Sequence, residues 1–389
     1  MITSMLDDDL YKFTMGNAIQ QLYPEAIATY KFFNRGNHKF NQKFAKEFFN
    51  YIKVELPKLA LTDDEMLWFK NTCSFIHPIY FEWLKSFRYN PSDVNITFSN
   101  NYQDMDITIC GTWYKAVLWE VKLMAIISEL YFKYVDNKWL KVFDESNWIA
   151  PFNEKRQLVV TYPEAFKYAD FATRRRRSSN IHDYVTGSLK NTKQFVGTSN
   201  VYLAKKYKCK PIGTMAHEFI MGVSELESLR YANKHALYKW ADVYKGNLGI
   251  ALTDTFGTDG FLKDFDLTLA KLYDGVRQDS GNPYEFAEKM ITHYKKLNIN
   301  PMTKTIIFSD ALNFRKAFDI FFKFSKRINC SFGIGTYLSN DCIDSPAMNM
   351  VIKLVEINGI PVVKISDTKG KVTGNKDDVK YVKYVYGIK

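Results

Sequence analysis

The most constraining feature of the sequence is a regular alternation of short apolar segments and longer amphipathic segments between residues 207 and 334. The apolar segments predict strands at residues 209–214, 248–253, 272–276, 305–309 and 331–334. The segments between them predict helices at residues 218–244, 266–271, 283–297 and 313–326. Strands that alternate with helices at this spacing form parallel βα units, so the region predicts an α/β fold, most economically a (β/α) barrel.

The first part of the chain follows a different pattern. Helices and strands are mixed there without βα regularity, which predicts a separate α+β domain at residues 1–135. The predicted helices lie at residues 4–23, 42–54, 62–70 and 118–136, and the predicted strands at residues 27–34, 95–98 and 105–110. The helix at 62–70 opens with a capping box formed by Thr62 and Glu65. A second, arginine-rich helix is expected after Phe171.

The barrel pattern stops after Thr336, and the rest of the chain is expected to be a short β extension. Residues 350–356 and 361–365 predict a β-hairpin that turns at Asn358 and Gly359. Residues 380–386 are dense in β-forming residues and predict an exposed strand. We therefore expect a barrel at residues 136–340 and C-terminal strands at residues 341–389 that pack back on the N-terminal domain.

The charge of the chain favours anionic partners. Lys and Arg number 53 against 42 Asp and Glu, and the formal net charge is +11. Most of the lysines are scattered singly over amphipathic segments, whereas four consecutive arginines stand at residues 174–177. A nucleic-acid-binding module is a possible alternative on charge and aromatic content alone. It is disfavoured because the aromatic residues are spread at core-like spacing and no nucleic-acid motif occurs.

Cysteine usage and hydropathy favour a cytoplasmic protein. The five cysteines are far apart, odd in number and without a C-x-x-C pair, as expected for reduced thiols rather than disulfides or a zinc site. The first ten residues are acidic and do not resemble a signal peptide. The most apolar window, residues 116–132, contains Glu120, Lys122 and Glu129, so no membrane span is expected.

Polar, charged or small residues follow each of the five predicted barrel strands. In chain order these are His217, Asp254 with Thr255, Arg277 with Asp279, Ser309 with Asp310, and Gly333, Gly335 and Thr336. Each residue alone could cap a helix or form a turn. Because the carboxyl ends of barrel strands meet at one mouth, their joint occurrence predicts a single ligand site there.

Two of these positions suggest phosphate chemistry. His217 lies where a strand is expected to enter a helix, and the helix N-terminus would favour an anion bound at that point. An imidazole can carry a phosphoryl group as a labile covalent intermediate. Gly333, Gly335 and Thr336 offer unobstructed backbone N–H groups and a hydroxyl, which suits a phosphate but is not a P-loop or a dinucleotide fingerprint.

The sequence motifs resemble those of one enzyme family, the nicotinate phosphoribosyltransferases. The matching segments occur in the family's order over nearly the whole chain: SMLDDDLYKFTMGNAI, YKFFNRG, DFATRRRRS, PIGTMAHEF, LTDTFGTDGF, YDGVRQDSGNP, IIFSDALN and FGIGTYLSND. The resemblance implies an irregular α/β barrel of the type II phosphoribosyltransferase kind, working as a homodimer with shared active sites. It implies that nicotinate and 5-phosphoribosyl 1-diphosphate give nicotinate mononucleotide and diphosphate, coupled to ATP hydrolysis with Mg²⁺, in NAD biosynthesis.

The resemblance also implies roles for individual residues. His217 would be phosphorylated by ATP, and Tyr11 of the neighbouring subunit and Phe171 would sandwich the pyridine ring. Arg277 would face the substituent of the ring, and Arg174 would face the phosphates. The expected ribose, diphosphate and phosphate contacts are Asp279, Asp254, Asp310, Gly333, Gly335 and Thr336, with Thr214, Ser280 and Ser309 completing the substrate-binding set. The magnesium ligands are not assigned.

One segment departs from the family pattern. Members usually read FGTRRRFS, whereas this chain has Ala172 in place of Gly and Arg177 in place of Phe. Phe171, Thr173 and Arg174 are retained, so the ring and phosphate contacts should be retained too. Quinolinate and nicotinamide phosphoribosyltransferases are the nearest alternatives. The first normally needs more basic residues for a second carboxylate, and the second differs around Arg277.

Overall fold

A computed structural model describes residues 1–136, 148–342, 344–368 and 370–388. The N-terminal part contains α1 (Leu10–Leu22), β1 (Ile27–Asn34), α2 (Gln42–Asn50), α3 (Asp63–Thr72), α4 (Pro78–Ser86), β2 (Val94–Phe98), β3 (Met105–Thr112), α5 (Trp113–Ala116) and α6 (Trp119–Tyr134). The capping box predicted at Thr62 and Glu65 is confirmed at the start of α3. The boundary predicted at residue 136 adjoins residues 137–147, which lie outside the described residues.

The central part carries the βα units. It contains α7 (Ala150–Val160), β4 (Lys167–Asp170), α8 (Ser179–Leu189), β5 (Phe195–Thr198), α9 (Val201–Tyr207), α10 (His217–Leu226), α11 (Ala232–Tyr244), β6 (Ile250–Leu252), α12 (Thr258–Asp264), α13 (Leu267–Leu272), β7 (Gly275–Gln278), α14 (Pro283–Lys296), β8 (Thr305–Phe308), α15 (Phe314–Phe324), β9 (Asn329–Ile334) and α16 (Thr336–Ser339). The C-terminal part contains β10 (Asp341–Cys342), β11 (Ser345–Pro346), β12 (Met350–Ile357), β13 (Ile360–Pro361) and α17 (Lys376–Tyr386).

Six parallel strands form the central sheet, in the order β5-β4-β9-β8-β7-β6. The predicted strands at 248–253, 272–276, 305–309 and 331–334 correspond to β6 to β9, although β7 begins three residues later than predicted. β4 and β5 were not predicted because four residues are too few to show a period. The expected α/β class and irregular barrel are confirmed.

The strand predicted at 209–214 is wrong, and its residues instead run between the two edges of the sheet. Pro211 makes a single parallel bridge to Thr198 of β5, and Thr214 Oγ1 lies 3.5 Å from the carbonyl oxygen of Ile250 in β6. Proline has no N–H to donate to a strand ladder, which disfavours a regular strand there. This segment makes the closure of the barrel irregular.

A second sheet draws on both ends of the chain, in the order β13-β12-β1-β3-β2. β12 pairs antiparallel with β1 from Ala28 opposite Ile357 to Asn34 opposite Met350. The predicted hairpin turn is confirmed, since β12 and β13 pair through Asn358 and Gly359 with positive φ angles of 50° and 77°. The second strand is only Ile360–Pro361, shorter than the predicted 361–365. The C-terminal extension thus completes the N-terminal sheet.

Three helix predictions need correction. α1 begins at Leu10 rather than at residue 4, because the aspartates before it are buried in ion pairs and hydrogen bonds instead of forming a helical turn. The region 218–244 is two helices, α10 and α11, separated at Leu229–Tyr231. Instead of an arginine-rich helix, a single 3₁₀ turn covers Thr173–Arg175, and α8 begins only at Ser179, after its capping residue Ser178.

The strand predicted at 380–386 is also wrong, because these residues belong to α17. Asn375 caps the helix, and Val382 and Tyr386 are buried at a helical spacing of four residues. The density of β-forming tyrosines and valines predicts a strand, but this composition does not determine the structure here. Tyr386 stacks on Phe256 at 4.8 Å between ring centres, so α17 packs on the barrel region.

α6 accounts for the apolar window at 116–132. Its charged residues Lys122, Glu120 and Glu129 are buried and paired rather than exposed. Lys122 Nζ donates to the carbonyl oxygens of Asp7 and Met5, at 2.7 and 3.0 Å. Among the described residues, no helix is long and apolar enough to cross a membrane. All five cysteines are unpaired.

Candidate active site

An imidazole and a carboxylate form the centre of the barrel mouth. His217 is the first residue of α10, and Asp254 follows β6. The His217 Nε2 atom lies 2.9 Å from Asp254 Oδ1. The Asp254 side chain is 1 % exposed and that of His217 is 15 % exposed, so the pair is sheltered but reachable from the mouth. The two residues come from neighbouring units of the barrel, as the sequence predicted.

The surroundings of this pair fix its charges. The second oxygen of Asp254 accepts a hydrogen bond from Ser280 Oγ at 2.5 Å and lies 3.6 Å from Lys364 Nζ. Burial alone would raise the pKa of Asp254, but the neighbouring His217 and Lys364 outweigh it and hold that pKa well below its ordinary value. Burial and Lys364 together lower the pKa of His217, against the opposing effect of Asp254. At neutral pH the carboxylate is charged and the imidazole is neutral.

A second carboxylate, Asp279, stands beside the pair. Its Oδ2 atom lies 3.8 Å from His217 Nε2 and 3.9 Å from Arg277 Nη2, and its Oδ1 atom accepts a hydrogen bond from Ser309 at 2.8 Å. Burial opposes ionisation of Asp279, but Arg277 and His217 outweigh burial and lower its pKa. Asp279 is 30 % exposed, so a charged carboxylate faces the open mouth.

Arg277 lies inside β7 rather than after it, because that strand extends to Gln278. Its Nη1 atom donates to the carbonyl oxygen of Met215 at 3.1 Å, which aims the guanidinium across the mouth toward the start of α10. Its side chain is 16 % exposed. The arginine therefore presents a fixed positive charge to a ligand in the mouth.

An aromatic ring lies over the glycines that follow β9. A Cβ atom at Gly333 would stand 2.2 Å from the Phe171 ring, so only glycine allows the ring to sit there. The Phe171 N–H donates to the carbonyl oxygen of Ile334 at 2.8 Å. Thr336 begins α16, a helix of only four residues. Phe171, Gly333, Gly335 and Thr336 are thus brought together at one part of the mouth.

Tyr11, Arg174 and Thr214 form a further group, at the start of α1. Thr14 Oγ1 donates to the Thr214 carbonyl oxygen at 2.6 Å, and a Cβ atom at Gly213 would stand 2.9 Å from the Tyr11 nitrogen. Arg174 Nη1 lies 3.3 Å from Glu120, and its side chain is 41 % exposed. Burial lowers the pKa of Arg174, but Tyr11, Glu120 and Asp279 outweigh burial and raise it.

The residues that depart from the family pattern have structural partners. The N–H of Ala172 donates to Asp170 Oδ1 at 2.9 Å, and the side chain is buried. The Arg177 guanidinium lies 3.7 Å from the centre of the Phe132 ring, and Nη1 donates to Ser345 at 2.8 Å. Arg177 is therefore held by a cation–π contact and a hydrogen bond.

Sequence reasoning missed a segment that crosses the mouth, of which residues 364–368 and 370–371 are described. Lys364 contacts Asp254, as described above. The Asp367 side chain accepts a hydrogen bond from the Thr258 N–H at 2.9 Å, and the Asp367 N–H donates to Ser280 Oγ at 3.1 Å. Lys371 forms an ion pair with Asp310 at 2.6 Å. The run SDTKGK that follows the predicted strand is polar, but nothing in its local pattern indicates which part of the molecule it contacts. It ties the βα loops of the mouth together.

The fold and the site define an α/β barrel enzyme whose mouth presents arginines, carboxylates and a neutral imidazole to an anionic substrate. Comparisons with known proteins identify the family of this enzyme. Residues 166–389 match the model of the nicotinate phosphoribosyltransferase (NAPRTase) family, and residues 6–128 match that of the NAPRTase N-terminal domain. The chain belongs to the nicotinate phosphoribosyltransferase family, as its motifs predicted.

Individual relatives resemble the chain over its full length. It is 46% identical to nicotinate phosphoribosyltransferase from Methanosarcina acetivorans, covering 100% of this chain and 99% of the relative. It is 47% identical to the enzyme of the same name from Methanosarcina mazei, with the same coverage. The crystal structure of nicotinate phosphoribosyltransferase from Porphyromonas gingivalis superposes with a TM-score of 0.93, at 34% identity and covering 100% of both chains.

Proposed function

We propose that this chain transfers the phosphoribosyl group of 5-phosphoribosyl 1-diphosphate to nicotinate, giving nicotinate mononucleotide and diphosphate in the salvage route of NAD biosynthesis. The observation that carries the proposal is family membership over both parts of the chain. The geometry of the mouth supports it, since both substrates are anions and Arg174 and Arg277 face the mouth as fixed cations.

The carboxylates are suited to the transfer step. When the bond from ribose to diphosphate breaks, positive charge develops on the ribose ring, and nicotinate nitrogen then forms the new bond to the same carbon. A charged carboxylate beside the ring stabilises that transition state. Asp279 is ionised at neutral pH and exposed to the mouth, whereas Asp254 is buried and holds His217. We assign Asp279 to the ribose and Asp254 to orienting the imidazole.

The remaining substrate contacts follow from position. Phe171 would lie on one face of the pyridine ring, with Arg277 facing the carboxylate of nicotinate. Gly333, Gly335 and Thr336 would hold the 5-phosphate through backbone N–H groups and a hydroxyl. Ser280 and Ser309 would act indirectly, because their hydroxyls are already donated to Asp254 and Asp279.

Magnesium fits this mouth as the partner of the diphosphate. Mg²⁺ prefers oxygen ligands and keeps several waters, and the exposed carboxylates of Asp279 and Asp310 supply such oxygens. When bound, the ion neutralises the charge of the diphosphate. Within the chain, Lys371 holds Asp310 in place at the same edge of the mouth.

We further propose that ATP phosphorylates His217. If the Nε2 proton is donated to Asp254, the Nδ1 lone pair remains free to accept the γ-phosphoryl group while ADP leaves. Water later takes the phosphoryl group from the imidazole and releases it as phosphate. The lowered pKa of His217 supports the proposal because a neutral imidazole is the nucleophilic form. The N–H groups at the start of α10 would favour the transferred anion.

The protein is also proposed to act as a homodimer in which Tyr11 completes the partner's nicotinate site. Tyr11 is half-buried in the single chain, at the N-terminal end of α1. Its backbone is fixed against Gly213, so the position of the ring is set by the fold rather than by a mobile terminus. A second subunit could therefore receive a preorganised aromatic face.

Comparing three bases tests the proposed activity. The purified protein is incubated with phosphoribosyl diphosphate, Mg²⁺ and nicotinate, nicotinamide or quinolinate, and the mononucleotide is quantified by chromatography. We expect a preference for nicotinate of at least about a hundredfold in kcat/KM, because Arg277 offers one cation for one carboxylate. A preference for nicotinamide or for quinolinate would assign the chain to one of the related activities instead.

A further inference from the structure

Lys12 is buried between two carboxylates from different elements. It belongs to α1, and its side chain is 0 % exposed. The Nζ atom lies 2.5 Å from Glu120 of α6 and 2.5 Å from Glu218 of α10. Three elements distant in sequence therefore meet at one ammonium group.

Both carboxylates lead on to the active site. The other oxygen of Glu120 lies 3.3 Å from Arg174 Nη1, and Glu218 directly follows His217 on the first turn of α10. The contacts form a continuous path from Arg174 through Glu120 and Lys12 to Glu218. Lys12 is thus two contacts from a proposed phosphate-binding arginine.

The charges of these four side chains balance. Lys12 and Arg174 carry two positive charges, and Glu120 and Glu218 carry two negative charges when ionised. Burial opposes ionisation of Lys12, but Glu120 and Glu218 outweigh burial and raise its pKa. Without the ammonium group, two carboxylates would share a buried site, and one would be forced to bind a proton. Burial raises the pKa of Glu218, so that residue would take the proton first, while Glu120 would lose the cation that fixes its second oxygen.

We propose that Lys12 is a positioning residue: it keeps Glu120 in place, and Glu120 in turn sets Arg174 for the phosphate groups of phosphoribosyl diphosphate. This inference rests on the proposed function of the mouth. A stability role alone would leave substrate affinity unchanged in the folded protein. A positioning role requires that affinity for the phosphorylated substrate depend on the charge at position 12.

The test compares two buried lysines. Lys122, like Lys12, is 0 % exposed, but it holds the backbone of residues 4–7 and Asp8 rather than Glu120 or Glu218. Steady-state kinetics are measured without ATP for Lys12→Met, Lys12→Arg and Lys122→Met, together with the melting temperature of each. For Lys12→Met we expect the KM for phosphoribosyl diphosphate to rise about tenfold or more while kcat falls less than about threefold.

The charge-conserving and control variants separate the two roles. Lys12→Arg should return that KM to within about threefold of wild type, and Lys122→Met should lower the melting temperature without changing the KM by more than about twofold. Glu120→Gln keeps the shape of the side chain but removes its charge, and it should reproduce the rise in KM. If Lys12→Met does not fold, the KM of Glu120→Gln tests the positioning role instead.

Two results would overturn the inference. One is a KM within about twofold of wild type in folded Lys12→Met or, where that variant does not fold, in Glu120→Gln. The other is an equal rise in KM in Lys122→Met, which would mean that any lost buried lysine has this effect. A wild-type protein that forms no mononucleotide from nicotinate would contradict the proposed function itself, a result distinct from either of these.

Discussion

At the scale of single residues, the site depends on carboxylates whose surroundings keep them charged. Asp254 and Asp279 lie near the same imidazole, and each accepts a hydrogen bond from a serine. They differ in exposure, at 1 % and 30 %, which separates an orienting carboxylate from one that can meet a substrate. The sequence predicted both because each directly follows a strand. It did not predict Lys364, which reaches Asp254 from 110 residues away in the chain.

The assignment of Asp279 can be tested with an isosteric change. Asp279→Asn keeps the shape and removes the charge that stabilises a cationic ribose, so kcat should fall by about a hundredfold or more. The melting temperature should change little because the side chain is partly exposed. Asp259→Asn is the control, since Asp259 pairs with Lys289 on the surface at 2.6 Å. Near-normal turnover by Asp279→Asn at saturating substrate would reduce Asp279 to a structural role.

The pKa of another aspartate, Asp8, predicts how the stability of the protein depends on pH. Burial raises the pKa of Asp8, and the nearby Lys122 lowers it by less, so the pKa rises from its ordinary value of 3.8 to about 7. Because the folded protein then holds a proton that the unfolded chain has lost, stability from this group declines as the pH rises through about 7. Between about pH 6 and about pH 8 the loss is roughly 1.4 kcal/mol.

Replacing this aspartate with asparagine should remove that part of the pH dependence. The measurement is the melting temperature of wild type and Asp8→Asn at both pH values, with Asp104→Asn as a surface control. We expect the wild type and the control to lose more stability toward alkaline pH than Asp8→Asn does. Parallel pH profiles for all three proteins would show that Asp8 is already ionised in the fold.

At the scale of elements, the sequence predicted what depends on local pattern. Strand ends, helix caps and the Asn358–Gly359 turn are local signals, and the structure contains them. The arginine run does not form the predicted helix because Arg176 is held by an ion pair to Asp7, at 2.6 Å. The two residues are 169 positions apart in the sequence. Residues 380–386 form a helix rather than the predicted strand because the helix buries Val382 and Tyr386 on one face. Tertiary contacts decided both cases.

The contact between β9 and Phe171 gives a prediction at this scale. In Gly333→Ala the new methyl group would collide with the Phe171 ring, displacing the proposed face for the pyridine ring. The KM for nicotinate should rise about tenfold, with a smaller effect on the melting temperature. Gly111→Ala is the matched control because a Cβ atom there meets no atom within 4 Å. An unchanged KM for nicotinate in Gly333→Ala would remove Phe171 from that role.

At the scale of the whole molecule, both ends of the chain meet at the barrel. α1 lies against the segment that closes the sheet, and residues 364–368 and 370–371 cross the mouth from the other end of the sequence. These long-range contacts hold groups of the mouth that no single βα unit could position. The local patterns of the sequence predict the barrel, but they do not contain the contacts that assemble its mouth.

The proposed sharing of the site between subunits predicts complementation. Tyr11→Ala should raise the KM for nicotinate, and mixing it with inactive Asp279→Asn should give hybrid dimers that contain one intact site and have a wild-type KM. Hybrids are isolated with two affinity tags and assayed beside each parent. Hybrids that keep the raised KM of Tyr11→Ala, with their formation shown directly, would place Tyr11 and Asp279 in the site of the same subunit.

The central claim is that His217 couples ATP to nucleotide formation, and one labelling experiment tests it most directly. Wild type, His217→Asn and the control His293→Asn, whose imidazole contacts the carbonyl oxygen of Phe265 at 2.7 Å, are incubated with ATP labelled at the γ-phosphate. We expect acid-labile, base-stable label on wild type and on the control but not on His217→Asn, which should keep slow synthesis without ATP stimulation. Equal labelling of His217→Asn and wild type would contradict the claim.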